Sequence, residues 1–215
     1  MEPIEDLLKK ELIKIWTVDF PAVYRSGCIC SEGAMQAEFF GLLKKFCTEK
    51  DLKIFVQPTV PTKNFIDNEV PMRAGVTIKP DLVLTNSKRY VIAVFELKYK
   101  SPGKFKSGSK KHPEKQSAME FDFSKLSAFN ELSMRKDAQI FLEKDIQTGK
   151  INTKIVYSFS EQKNLFLISA AISNANDDFF CEKGNAERWR KGNITNYLQL
   201  IGKIGEPPVF YYYPK

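Results

Sequence analysis

Two runs decide the fold: Lys79-Pro80-Asp81-Leu82-Val83-Leu84-Thr85-Asn86 and Arg89-Tyr90-Val91-Ile92-Ala93-Val94-Phe95-Glu96-Leu97-Lys98-Tyr99-Lys100. Both are rich in β-branched and aromatic residues. The Ser87-Lys88 region between them is short enough for a hairpin, so Lys79–Asn86 and Arg89–Lys100 are expected as paired strands. Val91 to Phe95 is apolar at every position. A strand with no polar face must be covered on both sides, which places it in the middle of a sheet. Side chains alternate along a strand, so Glu96 and Lys98 share a face. If Lys88 and Arg89 form the turn, Asp81 faces Glu96. A slip of two puts Asp81 opposite Val94, with Glu96 on the diagonal. In either register the two carboxylates lie on one face of adjacent strands, and directly opposed Cβ atoms are only about 5 Å apart.

Working outward, residues 3–16 read as a helix with Ile4, Leu7, Leu8, Leu12 and Ile15 on one stripe. Residues 17–30, with Pro21 and Gly27, read as irregular. A second helix is expected from Ser31 to Cys47, capped by Ser31, its apolar positions Met35, Phe39, Leu42, Leu43 and Phe46 following the 3.6-residue period. Residues 52–60 suggest a strand whose end Pro58 places at an edge or bulge. Residues 101–118 are a loop by composition, and a helix is expected over Met119–Lys144, broken near Ser133. Lys154–Ser160 and Leu165–Ile172 read as strands, Ala186–Ile201 as a last helix, and Val209–Tyr213 as an edge strand. This order is α/β, with one central mixed sheet flanked by helices. It divides into an N-terminal helical arm (1–27), a core (28–173), and a C-terminal helix and strand packed on that core (174–215).

Two carboxylates and a lysine on a buried strand pair are costly without compensation, and a divalent cation supplies it. Mg²⁺ takes a few carboxylates and fills its octahedral shell with water and phosphate oxygens. Such an ion polarises a phosphate and lowers the pKa of a bound water. A neighbouring lysine can orient that water and offset charge building on phosphorus. The trio Asp81, Glu96 and Lys98 therefore suits phosphodiester hydrolysis. A plain ion pair between Lys98 and one carboxylate would leave a negative charge over.

Pro80-Asp81, fourteen intervening residues and Glu96-Leu97-Lys98 resemble the motif of the PD-(D/E)XK nuclease superfamily, over roughly residues 25–173. The resemblance implies a restriction endonuclease-like core and a Mg²⁺-dependent endonuclease, with Mn²⁺ able to substitute. Asp81 and Glu96 would bind the metal, and Lys98 would serve the attacking water. Many members carry a further glutamate on the helix before the sheet, for which this chain offers Glu32 and Glu38. Arg25, Gly27, Glu32, Met35 and Phe39 resemble the corresponding run of archaeal-type resolvases, one residue longer between glycine and glutamate. Glu32 falls within the apolar stripe and is preferred. Gln36, one turn on, is a candidate support. Asp122 to Leu126 resembles a helix segment that follows the catalytic strand in many members, where core packing is its expected role.

The net charge of +7 favours polyanions, with solubility as the plainer explanation. Residues 99–115 hold Lys100, Lys104, Lys106, Lys110, Lys111 and Lys115 against Glu114 alone. This loop leaves the strand just beyond Lys98 and is a candidate grip on a phosphate backbone, unless it is simply a solvated run. Arg188-Trp189-Arg190-Lys191 mixes an aromatic with cations, and Tyr211 to Tyr213 offer rings, both with packing as the alternative. The expected partner is nucleic acid, DNA above RNA, with a homodimer if both strands are cut. The rival readings are an inactive nucleic-acid- or protein-binding module of the same fold, and a subunit of a larger defence or mobile-element assembly. Cys28, Cys30, Cys47 and Cys181 form no CxxC pair and His112 stands alone, so reduced thiols in a cytoplasmic protein are expected. The acidic start resembles no signal peptide and no window suggests a membrane span.

Overall fold

The computed structural model describes residues 2–25, 28–58, 60–61, 77–100, 125–134, 139–144, 154–159, 165–173, 196–203 and 207–213. The central hairpin joins β4 (Leu82–Asn86) to β5 (Tyr90–Lys100). Its turn is a three-residue loop, Ser87-Lys88-Arg89, in place of the two-residue turn expected at Lys88-Arg89. Arg89 N–H donates to the Asn86 carbonyl at 3.0 Å, Tyr90 N–H donates to Asn86 Oδ1 at 3.0 Å, and Arg89 is left-handed at φ 62°. Loops of this kind carry a bulge that restores the pairing. Here Thr85 pairs with Val91 but Leu84 with Ala93, so Ile92 is the extra residue. Beyond it the ladder runs Val83 to Val94 and Leu82 to Phe95, leading Asp81 to the level of Glu96.

The rest of the chain is built around this hairpin. The helices α1 (Ile4–Lys14), α2 (Phe20–Arg25) and α3 (Glu32–Glu49) come first, with a π-helical turn, Ile15–Asp19, between α1 and α2. The expectation of irregular chain from residue 17 is therefore corrected as far as Arg25. Phe20 N–H reaches back five residues to the Ile15 carbonyl. Pro21, which has no N–H to give, follows where the ladder is changing period, in the first turn of a new helix, a position that tolerates it. Ser31 Oγ accepts from Ala34 N–H at 3.1 Å and caps α3 as its sequence indicated.

The strands are β1 (Leu52–Val56), β2 (Val60–Pro61), β3 (Thr77–Ile78), β4, β5, β6 (Gln139–Lys144), β7 (Lys154–Phe159), β8 (Phe166–Ser173), β9 (Tyr197–Lys203) and β10 (Val209–Tyr213). A helix, α4, covers 125–133. The main sheet is eight-stranded and mixed, in the order β1-β4-β5-β8-β9-β10, with β7 beside the start of β5 and β6 beside β7. Strand β5 is antiparallel to β4 and parallel to β8, the central place its unbroken apolar run required. Strands β2 and β3 pair separately, so the expected strand from Lys79 begins at Leu82.

One face of the sheet is covered by α1, the π turn, α2 and α3. Trp16, Phe20, Phe39 and Phe95 meet there, with Phe39 within 5.8–6.4 Å of the other three rings. Trp16 Nε1 donates to the Ile201 carbonyl at 3.1 Å, and Lys9 lies over the Tyr212 ring at 4.3 Å, so α1 and the π turn are packed against the far strands. The opposite face holds a second core in which Val83, Val91 and Val94 meet Leu126, Phe129 and Leu132 of α4 and Ile140 of β6. Cys47 is buried in the first core, and burial pushes its thiol up to about 12, which keeps it protonated and inert.

Two expected helices are corrected. Gln139–Lys144 is a strand pairing antiparallel with β7, while 125–133 is helix and residues 119–124 and 135–138 of the Met119–Lys144 expectation lie outside the described residues. Tyr197–Lys203 is a strand parallel to β8 and not the end of a helix. Residues 186–195 of that expectation lie outside the described residues. No helix among the described residues is long and apolar enough to cross a membrane.

Candidate active site on the β4–β5 hairpin

Asp81 sits where the β4–β5 ladder ends. Its N–H donates to the Phe95 carbonyl at 3.0 Å, and its Oδ2 accepts from Leu97 N–H at 2.6 Å. The residue is thus bonded to the backbone of both neighbours of Glu96, at the level of Glu96 on the adjacent strand. Its carbonyl accepts twice more, from Gln36 Nε2 and Gln57 N–H, each at 2.9 Å, while Gln57 Nε2 donates to Gln36 Oε1 at 3.3 Å. Gln36, picked from sequence as a support, therefore holds the backbone of Asp81. Gln57 was not picked. It takes a left-handed conformation, φ 45°, just after β1 and before Pro58, and this turns its N–H toward Asp81.

Glu96 is 3% exposed, and its strand neighbours Val94 and Lys98 share its face. Lys125 Nζ, at the first described position of α4, is ion-paired with Glu96 Oε2, while Oε1 is buried with no hydrogen bond among the described residues. Sequence reading missed Lys125 as a charged partner. The signal was its spacing: residues 125, 129 and 132 fall on one helical stripe, and Phe129 and Leu132 are core. A lysine on a core-facing stripe needs an anion. On the sheet, Glu96 is in register with Ser169 and Ser169 with Gln199, which is 2% exposed, so a polar row continues across the middle strands.

Lys98 Nζ meets Glu32 Oε2 at 3.3 Å. The α3 N-terminus, set by the Ser31 cap, thus brings Glu32 to the hairpin end. Glu32 is partly exposed, contrary to a place wholly within the apolar stripe, because it stands at the first turn of α3 where the sheet edge no longer covers it. Glu38, six residues on, is also partly exposed and lies on another side of the helix.

Among the described residues no group of three His, Cys, Asp or Glu side chains converges as a closed metal set. What Asp81 and Glu96 can hold is a hard cation that takes most of its shell from water and substrate oxygens, the preference of Mg²⁺. The Lys100 side chain, Lys104, Lys106, Lys110, Lys111, Asp122 and Arg188 to Lys191 lie outside the described residues.

No family model, no curated protein and no solved structure matches this chain.

Proposed function

We propose that the chain is a Mg²⁺-dependent nuclease of the PD-(D/E)XK type, with DNA as its substrate. The observation that carries this reading is the bonding of Asp81 to both neighbours of Glu96, with Lys98 two residues further on the same face as Glu96. Asp81 and Glu96 are the metal ligands, and Mn²⁺ replaces Mg²⁺. A bound ion would polarise the scissile phosphate and acidify a water. Lys98 orients that water and offers positive charge to the phosphorane. Glu32 holds the Lys98 ammonium in place, and Gln36 and Gln57 hold the backbone of Asp81. The lysines of 100–111 add a sequence-independent attraction for phosphates.

The second reading is a binding module of the same fold without hydrolysis, and the Lys125–Glu96 pair is the observation that favours it, since it already neutralises one ligand. Incubation with linear, circular, branched and single-stranded DNA, and with RNA, in Mg²⁺ and in EDTA separates the two. Mg²⁺-dependent products from a DNA substrate are expected. Binding to DNA with no cleavage in Mg²⁺ or Mn²⁺ would select the second reading.

A further inference from the structure

We propose that Lys125 is a second phosphate-binding residue of this site, held on Glu96 until a divalent cation takes its place there. The inference rests on the assignment of Asp81 and Glu96 as cation ligands. Lys125 and Glu96 are 12% and 3% exposed at their side chains, so their contact is made inside the protein. The helix that carries Lys125 is anchored by Leu126, Phe129 and Leu132 in the second core. Lys125 therefore does not drift to solvent, as long amphipathic side chains usually do.

A divalent cation bound through Glu96 brings two positive charges to the place where one ammonium now stands. Cations about 4 Å apart repel strongly away from bulk water, so the ion and Lys125 exclude each other from Glu96 Oε2. The displaced ammonium is tethered by a fixed helix and a flexible four-carbon stem, and it moves only a few ångströms. That keeps it beside the cation, where an oxygen of a bound phosphodiester completes the cation's shell. Lysine suits this task as a compact point charge for phosphate. Lys98 meets Glu32 and Lys125 meets Glu96, so the two lysines approach the site from different sides.

The test is calorimetric titration of the full chain with Mn²⁺ alone, comparing wild type with Lys125→Met and Lys125→Arg. Removal of the competing ammonium should tighten Mn²⁺ binding by roughly tenfold in Lys125→Met, while Lys125→Arg stays near wild type. In saturating Mn²⁺, Lys125→Met should then bind a phosphorothioate-linked duplex more weakly. Its slope of log affinity against log salt should be smaller by about 0.9, one phosphate contact. Should Lys125→Met fail to fold, Lys125→Gln keeps a donor for Glu96 without the charge and gives the same comparison. Mn²⁺ affinity unchanged or weakened by loss of the charge, in a wild type that does bind Mn²⁺, overturns the role of Lys125 alone. An unchanged salt slope does the same. Absence of Mn²⁺ binding in wild type overturns the ligand assignment and the role of Lys125 with it.

Discussion

Strand β5 presents two unlike faces. Ala93, Phe95 and Leu97 point to the helices and are fully buried among Trp16, Phe20 and Phe39. Val94, Glu96 and Lys98 point the other way, and the face passes from apolar to charged within four residues. The first face is closed by packing alone. The second is closed by packing as far as Val94, then carries the ion pair of Glu96 with Lys125 of α4, and at the strand end Lys98 reaches Glu32 at the N-terminus of α3. A protein that needed only stability would have continued the apolar face, because well-packed hydrophobic residues match or exceed a buried ion pair in stability. The charged half is the part of the strand to which the proposed function assigns its ligands.

Substitutions on each face sharpen the contrast. The largest loss of stability is expected from Phe39→Ala, at about 3–5 kcal/mol, because it empties the centre of the aromatic cluster. Denaturant unfolding measures it, and cleavage per folded molecule should stay near wild type. A loss under about 1 kcal/mol would mean that the helix-facing side is not the main core.

Glu96→Ala comes next. On the sequence alone, removing a carboxylate from the pair with Asp81 should leave stability unchanged or raised, through relief of like-charge repulsion. The pair with Lys125 reverses that expectation, since the substitution takes the Glu96 carboxylate away from a largely covered ammonium, at a cost of about 3 kcal/mol. The double variant Glu96→Ala, Lys125→Met should recover most of it. If the double variant is no more stable than Glu96→Ala, the pair does not hold the charged face together.

Gln36→Ala removes a donor from the Asp81 carbonyl and the acceptor of Gln57, so a loss of about 1–2 kcal/mol is expected, with lower cleavage as Asp81 loosens. Glu32→Gln has the smallest effect on folding, at most about 0.5–1 kcal/mol, because its ion pair with Lys98 is half exposed. Its effect on cleavage should nonetheless exceed that of Glu38→Gln, and the reverse ranking would show that the wrong helix face was assigned to the site.

The two faces also differed in how much the sequence disclosed. Phe95 and Val94 announced a central strand because no polar residue interrupts Val91 to Phe95. The level of Asp81 against Glu96 was narrowed to two registers, and what selected one was a bulge at Ile92 whose cause is the three-residue turn. Ile140-Phe141-Leu142 and Leu198 to Ile201 mislead because short apolar runs satisfy both periods and the pairing with β7 and β8 leaves no local mark in the sequence. Pro21 hid the second half of the first helical layer, since a proline reads as a break unless the ladder changes period beside it. Asp81, Glu96 and Lys98 were legible because their spacing is local. Lys125 and Gln57 were not, because each meets the site through a contact that only tertiary packing creates.

The proposed function makes the charged half of the second face a metal-dependent phosphodiesterase centre. The most direct test is Asp81→Ala, which removes one proposed ligand and leaves the Lys125–Glu96 pair in place. Wild type and variant, matched for folding by circular dichroism, are incubated with DNA in Mg²⁺ and in EDTA. Cleavage by wild type is expected in Mg²⁺ and not in EDTA, with a loss on the order of 1000-fold or more in Asp81→Ala, the scale of several kcal/mol of transition-state stabilisation. Cleavage by folded Asp81→Ala at the wild-type rate, or cleavage by wild type that persists in EDTA, would contradict the proposed function.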